Sequence, residues 1–291
     1  MAAAYQLIFF VGLLVSPLLA QVWVDSQSGC GPSCDGSETK PFPSLKEALE
    51  NRPQGEILVR SGTYTGSMNR DLTISSVSLT IRSTNGSAST VINCEEEGPA
   101  FFIFSSAITI EGLTIKNCIR TGAVVDERGR GGGGAFLLRD TFTVLRDVVM
   151  ENNEAQSEFD EDEDEEKGGY GGALNILSNS VELHGVHISG SKASFDGGAV
   201  YLQSANLKVL EDSVVDDEQN SNSIYCTSGS VQIDSSSELR GDPHCQSCHI
   251  TFDTGEGGDV DLCPASHLTG LFWSASSLSI VVLLFTIGYF A

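Results

Sequence analysis

Along most of the chain, apolar residues recur at every second position in short bursts, each closed by Gly, Asn, Asp or Ser. Ile108-Thr109-Ile110, Phe142-Thr143-Val144 and Val181-Glu182-Leu183 form one set. Leu113-Thr114-Ile115, Val148-Val149-Met150 and Val186-His187-Ile188 form a second. Alternation over so few positions, rich in β-branched residues, predicts short strands, because successive side chains of a strand face opposite ways. A third set follows a Gly-Gly-Ala step, at Gly133-Gly134-Ala135-Phe136, Gly171-Gly172-Ala173-Leu174 and Gly197-Gly198-Ala199-Val200. Weaker copies begin at Gly98-Pro99-Ala100 and at Asn222-Ser223. The bursts therefore belong to one unit of two or three strands and two turns, repeated along the chain.

The spacing of the units predicts how they stack. Ala173 and Ala199 lie 26 residues apart, and Ala199 and Ser223 lie 24 apart, a length that wraps a chain once around a parallel β-solenoid. The steps of 35 and 38 residues, from Ala100 to Ala135 and on to Ala173, read as the same wrap carrying insertions. Alternate residues after each Ala then form two inward columns: Phe101, Phe136, Leu174, Val200, Ile224 and Ile103, Leu138, Ile176, Leu202, Cys226. The opposite parity turns Phe102, Leu137, Asn175, Tyr201 and Tyr225 outward. The paired glycines are expected where φ is positive or a neighbouring turn comes close. Val91-Ile92-Asn93-Cys94 and Thr114-Ile115-Lys116-Asn117-Cys118 are offset by 24 residues, which predicts Asn93 beneath Asn117 and a disulfide between Cys94 and Cys118.

The Gly-Gly-Ala-apolar motif, with Ile115-Lys116-Asn117 and Met150-Glu151-Asn152 ahead of two copies, resembles the right-handed parallel β-helix proteins of the pectin-lyase-like superfamily. Its repeats are similar to those of the chlamydial polymorphic membrane proteins and their eukaryotic look-alikes. The resemblance covers about residues 22–240 and implies an all-β fold, a single-stranded right-handed parallel β-helix with an N-terminal capping helix. Residues 21–66 then form the cap and first rung, with Ser44 as helix N-cap and Leu45, Ala48 and Leu49 on one face. Residues 67–240 form the rungs, with insertions at 119–132 and 154–170 leaving one corner side by side. Residues 241–264 form a cysteine-containing C-terminal cap.

Composition adds a compartment. Residues 1–20 are apolar and uncharged, as in a signal peptide, and 265–291 form a hydrophobic tail whose 271–291 stretch carries no charge. The tail has no basic flank, which favours a glycolipid-anchor signal, with Gly257 or Ala265 as attachment candidate, over a single membrane span. Eight cysteines fit an oxidising compartment; Cys30, Cys34, Cys245 and Cys248 are further disulfide candidates with partners left open. Cys245-x-x-Cys248 lacks the second ligand pair a zinc site wants, so no metal is expected. Asn85-Gly86-Ser87 is a glycosylation sequon. A net charge of −23 excludes nucleic acid and anionic membrane surfaces as partners. Much of that charge lies in an acidic run at 158–166, expected to be a solvated, disordered loop, while Arg120, Arg128 and Arg130 populate the other insertion.

Catalytic motifs of the superfamily are missing. The polygalacturonase set is absent, and Arg139-Asp140-Thr141-Phe142 is a loose echo of the methylesterase Gln-Asp-Thr-Leu. No cofactor is expected either, since the glycines at 131–134 lack the Lys-Ser/Thr of a phosphate loop. The expectation is a non-catalytic, cell-surface binding module, held to the membrane by its C-terminal anchor and meeting a glycan or surface protein through Phe102, Tyr201 and Tyr225. The alternative is a divergent carbohydrate-active enzyme.

Overall fold

A computed structural model describes residues 21–51, 54–122, 131–160, 165–216, 222–255 and 258–263. Residues 1–20, expected to be a signal peptide, the apolar tail, Gly257, Ala265, Arg128, Arg130 and the centre of the acidic run lie outside them. The described chain is all-β with large, mostly parallel sheets, compatible with a parallel β-solenoid. Each middle rung supplies three short strands, for example Phe136–Arg139, Phe142–Arg146 and Val149–Glu151. Each of these pairs in parallel with its counterpart one rung before and one rung after.

The registers reproduce the spacing argument. Phe101, Phe136, Leu174, Val200 and Ile224 are laddered partners, and all are fully buried. The Phe101 and Phe136 rings stack inside the coil with centroids 5.2 Å apart. Corners between strands are made by single residues in the left-handed region that recur rung after rung: Ser105, Asp140, Ser178 and Ser204 at one corner, Asn117, Asn152 and Gly190 at another. One left-handed residue turns the chain through a corner without consuming a strand position. The Gly-Gly pair does both tasks expected of it. Gly171 has φ +66°, and the backbone of Lys192 and Gly198 fills the space a Cβ on Gly172 would need.

One register differs from the expectation. Asn93 pairs with Lys116, not Asn117, because the strands Thr90–Asn93 and Thr114–Lys116 run at an offset of 23. The left-handed Asn117 absorbs the extra residue at the corner, so Cys94 and Cys118 still meet in a disulfide with Cα atoms 4.7 Å apart. The Asn117 amide donates to Asn93 Oδ1 at 3.1 Å.

At the N-terminal end the helix Leu45–Asn51 buries Leu45 and Ala48, and Ser44 Oγ accepts from the Glu47 N–H at 3.3 Å. Beneath it Tyr64 is fully buried, its hydroxyl donating to the Arg60 carbonyl at 2.8 Å, and burial pushes its pKa up to about 12. At the other end, the segment expected to cap the coil first adds a rung. The strand His244–Asp253 pairs in parallel with Ile224–Ile233, and only then does Asp259–Asp261 fold back antiparallel. Besides Cys94–Cys118, the disulfides are Cys30–Cys34, Cys226–Cys248 and Cys245–Cys263. Cys245 and Cys248 thus serve separate bridges, which removes the thiolates a metal would need. Four disulfides suggest an extracellular or secreted protein. Among the described residues, no helix is long and apolar enough to cross a membrane.

The insertions do start side by side: Ile119–Thr121 pairs with Glu154–Asp160, which pairs with Lys192–Ala193. The acidic run, however, is not a disordered loop at its base. Glu154–Asp160 and Glu165–Gly168 form an antiparallel hairpin, with Glu158 opposite Lys167. Pairing with Ile119–Thr121 extends the first hairpin strand outward from the coil, and the second returns along it. Replacing residues 159–166 by an Asn-Gly turn leaves every rung its ladder partners. The variant is expected to keep a strand-type far-UV spectrum and a melting temperature within about 3 °C of wild type. A larger fall would show that the hairpin supports the coil.

Candidate functional site

The outward ladder has the predicted parity and a different exposure. Thr73, Phe102, Leu137, Asn175, Tyr201, Tyr225 and His244 are successive laddered partners. Yet Leu137 and Asn175 are fully buried, and Tyr201 is only 2% exposed. The insertions return over this face and cover it. Arg120 lays its guanidinium 4.4 Å above the Phe102 ring, and Tyr170 packs on Tyr201 with centroids 4.8 Å apart. Leu137, Leu177, Tyr201 and Tyr225 thereby form a second, smaller apolar cluster outside the coil. Phe102 is therefore not part of one open aromatic groove with Tyr201 and Tyr225.

Arg120 is 95% buried by the same closure, being 5% exposed, and its Nε and one terminal nitrogen lack hydrogen-bond partners. Burial pushes its pKa down to about 10, against the pull of Asp71. Its contact with the Phe102 face offsets part of that loss of hydration.

Where the cover ends, at the last three rungs, a cleft of about 410 Å³ opens onto the ladder. Tyr170, Tyr201 and Tyr225 line it, within a run of packed rings: Phe195 stacked on Tyr170 (5.3 Å), Tyr170 tilted on Tyr201, Tyr201 stacked on Tyr225 (5.9 Å) and Tyr225 on His244 (4.6 Å). The two tyrosines expected at the site are thus brought together, with planes 11° apart. The polar lining was not foreseen. Asp196 reaches the cleft from the residue before Gly197, and burial raises its carboxyl pKa while His244 pulls against that shift. Tyr225 Oη accepts from Gln246 Nε2 at 2.6 Å, leaving its own proton to donate, and burial raises its pKa too. Gln203 Oε1 is buried at the cleft wall with no hydrogen-bond partner.

A repeat-level signal did exist. The residue before each Gly-Gly occupies one corner, where Gly132 bridges to Tyr170 and Gly171 N–H donates to Asp196 O at 3.0 Å. Reading that column places Tyr170 beside Asp196 at the rim of the ladder.

A second hollow of about 480 Å³ lies at the insertion corner between Glu96, Asn117, Asn152 and Lys192. It has no aromatic surface, and several of its polar side chains bond to one another, as Gln156 Nε2 does to Glu154 Oε1 at 3.0 Å. The aromatic cleft is the better ligand seat: the edges of stacked rings beside one carboxylate, one free hydroxyl proton and one unmet amide acceptor. Asn85 is exposed on a turn, with its amide donating to Ser61 Oγ at 2.6 Å. No family model, curated protein or solved structure matches the chain.

Proposed function

We propose that this protein is an extracellular, membrane-anchored β-helix that binds a saccharide in the Tyr201–Tyr225 cleft and does not cleave it. The observation that carries the reading is the composition of the cleft: the edges of a ring stack beside Asp196, Tyr225 and Gln203, which offer an acceptor, a donor and an acceptor to a sugar's hydroxyls. Cleavage of a glycosidic bond takes two carboxyl groups flanking that bond. Among the described residues lining this cleft, Asp196 is the single carboxyl group, which supports binding over the carbohydrate-active enzyme. For the coil, we take the finer assignment of a single right-handed helix of pectin-lyase-like type. Three parallel strands per rung support it, as does the strong right-handed preference of parallel crossovers.

The test is the detergent-solubilised full chain on an array of neutral, anionic and cationic oligosaccharides, together with assays for lyase, hydrolase and esterase products. Asp196→Asn is expected to weaken binding about 10- to 100-fold, the worth of a hydrogen bond to a charged acceptor. Acid gives a second reading with a distinctive sign. The raised pKa of Asp196 means that binding fades on acidification above the usual carboxylate range near pH 4. A raised carboxyl pKa also means that protonation favours the folded state, so the melting temperature does not fall in that window. Glu182 is the opposite case: the hydrogen bond from Lys208 holds its pKa low, so its contribution to stability is lost only below the ordinary range. Binding that declines only together with acid unfolding would remove Asp196 from the site. Sugar turnover by wild type would replace the binding reading with the enzymatic one.

A further inference from the structure

The cleft occupies one particular end of the molecule. Most of its lining belongs to the strands Val200–Leu210, Ile224–Ile233 and His244–Asp253, the last three rungs of the stack, with Tyr170 and Asp196 reaching in from the corner before them. The opposite end holds the strand Gln21–Val24 and the capping helix. The long face runs through nine strands from one end to the other, so at about 4.8 Å per strand the ends are roughly 40 Å apart.

The tail leaves the molecule at the cleft end, and a covalent bond fixes it there. Cys263 is joined to Cys245, with Cα atoms 6.0 Å apart, and Cys245 directly follows His244, the ring that closes the stack on Tyr225. After Cys263, seven residues precede the uncharged 271–291 stretch. Fully extended they reach at most about 25 Å. Attachment of a glycolipid anchor at Ala265 shortens the tether to two residues. Attachment at Gly257 instead removes Cys263 together with the strand Asp259–Asp261, and leaves Cys245 without its partner. With the anchor in a bilayer, the cleft therefore lies near that membrane, and the helix-capped end points away from it.

Charge narrows the occupant. Among the described residues lining the cleft, Asp196 is the one acidic or basic side chain, and the chain as a whole carries −23. Anionic sugars and the phosphate layer of the membrane are both repelled, while neutral hydroxyl-rich head groups are not. We propose that the cleft takes its ligand in cis: the uncharged saccharide head group of a glycolipid in the membrane that holds the protein. This rests on the saccharide-binding and membrane-anchored readings above, and adds the ligand class and the direction from which it arrives.

The experiment uses the full chain with its own anchor in phosphatidylcholine vesicles. Glucosyl-, galactosyl-, lactosyl- and globotriaosylceramide are placed either in the same vesicles or in separate ones. Hydrogen exchange is followed at residues 223–228 and 244–248. Glycolipid in the same vesicles is expected to slow exchange about tenfold at both segments, with no slowing from separate vesicles and none in the Asp196→Asn variant. Equal protection from separate vesicles overturns the cis assignment. So does a neutral oligosaccharide that binds on the array while the same-vesicle glycolipids protect nothing. If the array is blank for every sugar and no protection is seen, the saccharide reading itself falls, and this inference with it.

Discussion

Replacing Gly172 with Ala is expected to abolish secretion of the folded protein. Gly172 is the second glycine of its pair, and a Cβ there would overlap the carbonyl oxygens of Gly198 and Lys192 on the next rung. The rung cannot simply move away. Gly172 N–H donates to Gly197 O and Gly198 O, both at 3.1 Å, and Ala173 N–H continues the ladder to Ala199 O at 3.0 Å. Relief of the overlap breaks buried backbone hydrogen bonds, and retention of the bonds keeps the overlap. Both routes put the destabilisation at about 4 kcal/mol or more, a large part of a domain's whole stability. Gly258→Ala is the control, since nothing lies within 4 Å of a Cβ at that position. Secreted yield and thermal melting check the pair. Wild-type yield and melting temperature for Gly172→Ala would show that rungs separate far more easily than the ladder implies.

That glycine illustrates why the coil was legible and its decoration was not. The interior follows from local arithmetic. Rungs of 24 and 26 residues put Leu174, Val200 and Ile224 in one column, and each is laddered with the next and fully buried. A column position is a property of the repeat, so one sequence suffices to read it. The cover over the outward ladder comes from the insertions, where residue counts differ between rungs and no period survives. Tyr201 and Tyr225 could be aligned with Phe102, but it could not be seen that Tyr170 packs on Tyr201 while Arg120 covers Phe102. The acidic run failed for a related reason. Its composition argues for disorder, and the neighbouring strand Ile119–Thr121 gives it a partner that composition does not register.

The cysteines divide in the same way. Cys94 and Cys118 were legible because they sit one wrap apart in matching contexts, and the one-residue slip of the strands between them did not separate them. Cys226 looked like a core residue of its column, and it is one, at 0% exposure. Its register partner is Cys245, whereas its disulfide partner is Cys248. The two strands keep one offset throughout, with Cys226 facing Cys245 and Ser228 facing Ser247, and the buried Cys248 lies opposite Gly229. Gln246, next to Cys245, bonds Tyr225 Oη, so the strand that carries both bridged cysteines also furnishes a wall of the cleft.

Breaking that bridge, with Cys226→Ala and Cys248→Ala together, is the change that should separate the cleft from the rest of the coil. A disulfide closing a 22-residue separation contributes about 3 kcal/mol in the chain-entropy picture. In a stack where each rung touches only its neighbours, such a loss is felt mainly where it occurs. The rung it staples is terminal: His244–Asp253 has Ile224–Ile233 on one side and only the short Asp259–Asp261 on part of the other. Amide exchange at 244–253 is therefore expected to quicken about a hundredfold, while the strands Gly55–Val59 and Ser78–Ser83 at the far end keep wild-type protection. Ligand binding should go with the terminal rung, because His244 and Gln246 complete the cleft around Tyr225. Cys245–Cys263 remains intact in this variant, and on the proposed membrane-anchored reading surface display should persist with the site lost. Uniform loosening of all rungs in a single cooperative melt would mean instead that the coil folds as one unit and that the cleft cannot be unmade on its own.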